Sequence, residues 1–242
     1  MTKRLRLFAG PNGSGKSSIE KLVSERYNIG NLINADVIEQ MLREKGQMSF
    51  DPYGITITTL ELKRSIISSG FNLKEDVSTL VDHLTIRKNI LTIRNEEVAY
   101  GYLGAILSEV IRNKSLDGNK TFSFESVMSH PGKLDFIAQA TRKGFKTYLY
   151  FISTESPEIN IGRVQSRVQE GGHDVPVDKI KNRYTRSLDL LIKALELVDR
   201  AFIFDNSGKD TILLAEKDDE KLKIFEKKVP KWFDTYVIKR IT

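Results

Sequence analysis

The first residues of the chain able to do chemistry come as one run: Gly10-Pro11-Asn12-Gly13-Ser14-Gly15-Lys16-Ser17-Ser18. The run matches G-x-x-x-x-G-K-S in full. Glycines let consecutive backbone N–H groups turn inward around phosphate oxygens, and a helix starting at the lysine aims its positive end at the same point. Lys16 is then placed for the β- and γ-phosphates, and the Ser17 hydroxyl for Mg²⁺. ATP or GTP with Mg²⁺ is the implied cofactor pair.

A second set of residues suits what such a phosphate could be used for. Asp36 lies twenty residues after Lys16, at the end of the next expected strand, where a carboxylate can take the proton of an attacking hydroxyl. The alternative is that Asp36 caps the following helix. Glu125 closes a strand containing Phe122 and Phe124, and could position an acceptor or hold a metal-bound water. Arg163 and Arg167 stand four apart on one expected helical face, ahead of Gly171-Gly172-His173-Asp174-Val175-Pro176, and Arg183 and Arg186 follow. Arginines on a closing lid would neutralise charge on a transferred phosphoryl group. Three histidines far apart in sequence give no metal-ligand spacing.

Those residues need elements to carry them. Arg4–Ala9 reads as a strand and Ile19, Leu22 and Val23 as one helical face, so the glycine run sits between strand and helix. Leu32–Asp36 reads as a short strand leading into a helix. Residues 44–95, broken by Gly46, Pro52, Gly54 and Gly70, read as a helical insertion. An amphipathic helix is expected over about 96–112, with Gly101 and Gly104 lowering its propensity. Strands are expected at 121–125, 146–152 and 201–205, and helices at 131–143, 157–170 and 179–198. The tail, about 209–242, reads as a hairpin extension, with Trp232 packing it down. Alternating strands and helices imply an α/β, three-layer fold around a central parallel sheet, in a single domain over 1–242.

Composition narrows the class. The 242 residues include 38 Lys and Arg against 32 Asp and Glu, a surplus that favours anionic partners. No apolar run is long enough to span a bilayer, and no signal-type stretch precedes the glycine run, so a cytoplasmic protein is expected. Cysteine is absent, which removes disulfides and thiolate chemistry. The basic residues are scattered along the chain with no stacking motif, which argues against nucleic acid as partner. Three activities fit the motifs: a small-molecule kinase, the leading reading; a nucleic-acid end kinase; and a non-catalytic ATPase or switch, which needs no acceptor base.

Taken together, Gly10–Ser18, Asn34-Ala35-Asp36, Phe124–Ser129, Arg163-x-x-x-Arg167 with Gly171–Pro176, Arg183-Tyr184-x-Arg186-Ser187-Leu188 and Phe204-Asp205-Asn206-Ser207 resemble the zeta-toxin family. The similarity covers about residues 3–38 and 120–208. It implies an NMP-kinase-like P-loop core and phosphorylation of a nucleotide-sugar hydroxyl, such as that of UDP-N-acetylglucosamine. It also implies a small antitoxin partner. By the same resemblance Lys16 and Ser17 hold phosphate and Mg²⁺, and Asp36 is the base. Glu125 then belongs to the acceptor site, and Arg163 and Arg167 neutralise charge. The family's acidic motif often continues with a threonine and a basic residue. Val127 and Ser129 stand there in this chain, Ser129 being the substrate-site candidate.

Overall fold

The computed structural model describes residues 2–68, 82–94, 100–219 and 221–241. The chain divides into two compact units, Met1–Gly30 with Thr121–Thr242, and Asn31–Lys120. The first contains β1 (Arg4–Ala9), α1 (Lys16–Ser24), β6 (Phe122–Ser126), α5 (Gly132–Arg142), β7 (Lys146–Ser153) and α6 (Pro157–Gln169). It continues with α7 (Val177–Asp189), α8 (Leu191–Leu197), β8 (Arg200–Asp205), β9 (Ile212–Asp218), β10 (Lys221–Ile224) and α9 (Lys231–Tyr236). The second contains β2 (Asn31–Ile33), α2 (Ala35–Lys45), β3 (Gln47–Ser49), α3 (Thr59–Ser68), β4 (Leu84–Arg87), β5 (Ile90–Ile93) and α4 (Tyr100–Asp117).

In the first unit the strands run in the order β10-β9-β8-β7-β1-β6. Strands β6, β1, β7 and β8 are parallel, and β9 and β10 return antiparallel as the tail hairpin. This is the mostly parallel α/β sheet that the alternation of elements requires. One face is closed by large apolar side chains. Leu5 and Leu7 of β1, Leu149 and Phe151 of β7, and Ala201 and Ile203 of β8 are all buried. Phe136 of α5 meets Phe122 and Phe124 edge to face, and Trp232 of α9 meets Phe151. The expected tail packing of Trp232 is therefore present, with its indole N–H donating to Asp205 at 2.8 Å.

Boundaries moved in informative ways. The expected helix over 179–198 is two helices, Val177–Asp189 and Leu191–Leu197, divided at Leu190. On α1, Ile19 and Val23 are buried but Leu22 is 45% exposed, so the helix buries a narrower face than its apolar pattern suggests.

In the second unit α2 and α4 pack closely. A Cβ at Gly104 would lie 2.8 Å from the Ala35 carbonyl oxygen and 3.0 Å from Glu39 Cβ. The glycine that weakens α4 as a helix is what permits this approach. The start expected near residue 96, with Val98 and Ala99, lies outside the described residues. So does Gly70. Elsewhere in 44–95, α3 supplies the expected helical character, and β3, β5 and β4 add a three-stranded antiparallel sheet. Lys88 and Asn89, both at positive φ, make the two-residue turn between β4 and β5.

Candidate functional site

The glycine run joins β1 to α1 and takes a shape that only its sequence permits. Gly10, Gly13 and Gly15 have φ of 140°, 74° and 94°. A Cβ at Gly10 would come within 1.9 Å of the Ile152 carbonyl oxygen, and one at Gly13 within 2.6 Å of that of Asn160. The loop folds tightly: Ser14 N–H donates to the Pro11 carbonyl and Ser18 N–H to that of Gly15, each at 3.2 Å. Gly15 is the N-cap of α1, with no side chain capping the helix and no acid in the first turn. The N-terminal amides of α1 are thus not engaged by a side-chain cap, the arrangement that receives an anion.

Three side chains converge beside this loop. Lys16 is buried, with Nζ donating to the Pro11 carbonyl at 3.1 Å and lying 3.4 Å from Glu125 Oε1. Ser17 Oγ donates to the other carboxylate oxygen, Oε2, also at 3.4 Å. Parallel pairing of β1 with β6 sets Glu125 level with Phe8, just ahead of the loop. The Glu20 carboxyl, one turn along α1 from Lys16, is pushed above its ordinary value by burial and then by the charge of Glu125. Hard oxygen donors from Ser17 and Glu125, with a second carboxylate near, fit Mg²⁺ held jointly with phosphate oxygens.

The loop is braced from outside by groups to which sequence reasoning gave no bracing role. Asn160 of α6, fully buried, donates from Nδ2 to the Asn12 carbonyl and is hydrogen-bonded to Thr154 Oγ1. Asn206, just beyond β8, donates from Nδ2 to the Ser14 carbonyl at 2.8 Å. Its Nδ2 would lie 2.2 Å from a Cβ on Gly15. Arg183 of α7 donates to Asn12 Oδ1 at 3.4 Å, and the next residue, Tyr184, donates to the Thr154 carbonyl at 2.7 Å. Burial pushes the Tyr184 hydroxyl pKa up. A polar residue on the apolar face of an amphipathic helix was the available signal for Asn160. Asn206 carried no signal beyond its place in a quoted motif.

Arg163 and Arg167 do sit on one side of α6. Arg163 Nη2 donates to the Gly208 carbonyl at 3.5 Å, and Arg167 Nη2 to that of His173 at 2.7 Å. Arg163 Nη1 and Arg167 Nε are buried and make no hydrogen bond among the described residues. Arg167 thereby ties down the loop expected as a lid, and Val175 anchors that loop further in an apolar cluster with Val164 and Ile180. Ser129 lies half-buried in the connection between β6 and α5, one residue after Met128, which is at a φ of 53°.

Asp36 belongs to the other unit. It is exposed in the first turn of α2 and is not the cap: Asn34 is, its Oδ1 accepting from Asp36 N at 2.9 Å and Val37 N at 3.4 Å. Asn34 reaches these amides from an extended backbone, so the helix begins two residues earlier than a cap at Asp36 would place it.

No protein-family model matches the chain. A stretch of 63 residues, 26% of the chain, is 35% identical to an uncharacterized protein of Haemophilus influenzae (strain ATCC 51907 / DSM 11121 / KW20 / Rd), covering 45% of it. Among solved structures, the AvrRxo1-ORF1:AvrRxo1-ORF2 complex with ATP matches at a TM-score of 0.59 and 12% identity, over 92% of this chain and 60% of that one. The PezAT chromosomal toxin-antitoxin system of Streptococcus pneumoniae matches at 0.51 and 16%, over 89% and 72%. The chain thus spans less than half of its curated relative and about three fifths of the AvrRxo1 chain. At these identities the structural likeness shows a shared fold. Among the described residues no helix is long and apolar enough to cross a membrane.

Proposed function

We propose that this protein is a P-loop phosphotransferase that moves the γ-phosphoryl group of ATP or GTP to a hydroxyl of a small molecule. The observation that carries the reading is the convergence of Lys16, Ser17 and Glu125 on a glycine loop whose helix lacks a side-chain cap. A neighbour of the same fold crystallised with ATP supports the choice of donor.

In this reading the amides of Gly13–Ser18 and the Lys16 ammonium hold the β- and γ-phosphates. Mg²⁺, when bound through Ser17 with Glu125 behind it, would offset phosphate charge. Asp36 accepts the proton of the acceptor hydroxyl as its oxygen bonds to the γ-phosphorus. The bond from that phosphorus to the bridging oxygen breaks, and the nucleoside diphosphate leaves. Arg163 and Arg167, each with a donor nitrogen not otherwise engaged, stabilise charge on the group in flight. A general base of this kind contributes about 10²- to 10⁴-fold in rate. Asp36, Glu125 and Ser129 form the acceptor side, for which a nucleotide sugar such as UDP-N-acetylglucosamine is the candidate. One structural neighbour is a complex of two open reading frames' products and the other belongs to a toxin-antitoxin system, which supports control by an antitoxin-like partner. The reading places the protein in the cytoplasm.

The test is incubation with γ-labelled ATP and a metabolite extract, followed by mass spectrometry. A species heavier by one phosphoryl group, formed by the intact chain and absent with Asp36→Ala, is expected. ATP hydrolysis without any phosphorylated product would instead favour the switch.

A further inference from the structure

The second face of the first unit's sheet is built unlike its aliphatic, covered side. Residues directly opposite one another in a sheet point to the same side. Register therefore places Arg4 beside Lys146, Arg6 beside Tyr148 and Arg200, and Phe8 beside Tyr150 and Phe202. It continues across the hairpin, setting Asp218 and Lys221 beside Arg200, and Glu216 and Lys223 beside Phe202. Along β7 and β8 the other face is buried, while Tyr148, Arg200, Phe202 and Phe204 on this face stay half-exposed. Arg6, Phe8, Tyr150 and Ile152 on this same face are buried, so solvent reaches it along β8 to β10 and at the starts of β1 and β7, and not over the centre of β1 and β7.

From β1 to β10 six cations and two carboxylates share that face, and Glu125 of β6, opposite Phe8, is a third carboxylate on it that pairs with Lys16. The other two, Glu216 and Asp218, go to Arg200. Among the described residues Arg4, Lys146, Lys221 and Lys223 have no ion pair. The rings form a ladder, Phe8 on Tyr150 at 5.0 Å and Tyr150 on Phe202 at 5.1 Å. Guanidinium groups lie over its flank, Arg6 at 5.2 Å from the Tyr148 ring and Arg200 at 5.5 Å from the Phe202 ring. From β1 to β10 the cations span about 19 Å, four strand spacings.

We propose that the open part of this face binds single-stranded nucleic acid. Cations without an ion pair on β1, β7 and β10 suit a polyanion with regularly repeated charge. Half-exposed aromatic and guanidinium groups between them suit bases, whose flat faces stack on either without regard to sequence. An acidic protein segment is the weaker occupant, because aliphatic side chains to hold a helix are nearly missing from the face. The site is separate from the phosphate loop, and its occupancy does not depend on which acceptor the kinase uses.

Fluorescence anisotropy of the full chain with labelled oligouridine and oligothymidine of about 15 nucleotides tests this. Saturable binding at about 50 mM KCl is expected, weakening linearly on a log–log salt plot. The triple variant Lys146→Glu, Lys221→Glu, Lys223→Glu should bind at least about tenfold more weakly and lower the slope by about 2, as three lost phosphate contacts require. Phe204→Ala should weaken binding severalfold with the slope unchanged, since it removes only stacking. Lys16→Ala should bind as the parent does. The same charge change on helices, at Lys179, Lys181 and Lys193, should stay within about twofold. No saturable binding at low salt, or equal loss from the helix triple, would overturn the proposal. Displacement by polyglutamate as efficient as by unlabelled oligouridine would do so too.

Discussion

Two strand-to-helix junctions carry the proposed chemistry, and the chain builds them in opposite ways. Between β1 and α1 the turn is a glycine loop, the cap is Gly15 in left-handed geometry, and no side chain satisfies the first amides of the helix. Between β2 and α2 the turn is the single residue Asn34, whose carboxamide accepts from two of those amides. The first junction keeps its positive end for a ligand. The second neutralises its own and leaves the Asp36 carboxylate exposed beside it. In the proposed function one holds an anion and the other presents a base, and the difference lies in whether the cap is a side chain.

Substitutions can separate the two. The largest effect is expected from Asp36→Ala, which should cut phosphoryl transfer by about 10²- to 10⁴-fold while nucleotide affinity stays unchanged. Labelled-product assays run beside a nucleotide titration would check this, and loss of both together would blur the distinction. Gly13→Ala should do the reverse. A Cβ at φ 74°, 2.6 Å from the Asn160 carbonyl, must displace the loop. Backbone strain of about 1–3 kcal/mol predicts nucleotide binding weaker by roughly ten- to a hundredfold.

Asn34→Ala sharpens the second junction. Loss of the cap should lower stability by about 1 kcal/mol in urea unfolding, with nucleotide affinity unaltered. A smaller effect is expected at Glu61 of α3. A hydrogen bond from Lys114, then bonds from Thr58, lower its carboxyl to about 2. Its folded pKa lies below the unfolded one, so its stabilisation is complete above the ordinary carboxylate range and is lost as pH falls toward 2. Glu61→Gln should flatten that part of the acid-unfolding curve slightly, the pair being largely exposed.

How much of this was legible in the sequence depended on distance along the chain. The glycine loop and its flanking strand and helix were readable because all their constraints lie within about twenty residues. The cap was misplaced by two positions, since Asn34 and Asp36 are both capping residues and only backbone geometry chooses between them. Strands of three or four residues, such as Gln47–Ser49 and Leu84–Arg87, are too short to show a period, so the sheet within 44–95 was invisible. Asn160 and Asn206 reach the loop from 148 and 192 positions away. The basic, aromatic face was hidden for a related reason. Its basic and aromatic residues come two or three at a time from four strands, so no run of charge marks it.

The central claim is that the loop after β1 is a triphosphate cradle completed by Lys16. Calorimetric titration of Mg-ATP into the parent chain and Lys16→Ala tests it most directly. One saturable site is expected in the parent, with the variant weaker by at least about tenfold, the worth of a charge-assisted hydrogen bond to phosphate. Equal affinity in the two proteins, or no heat of binding in the parent, would contradict it.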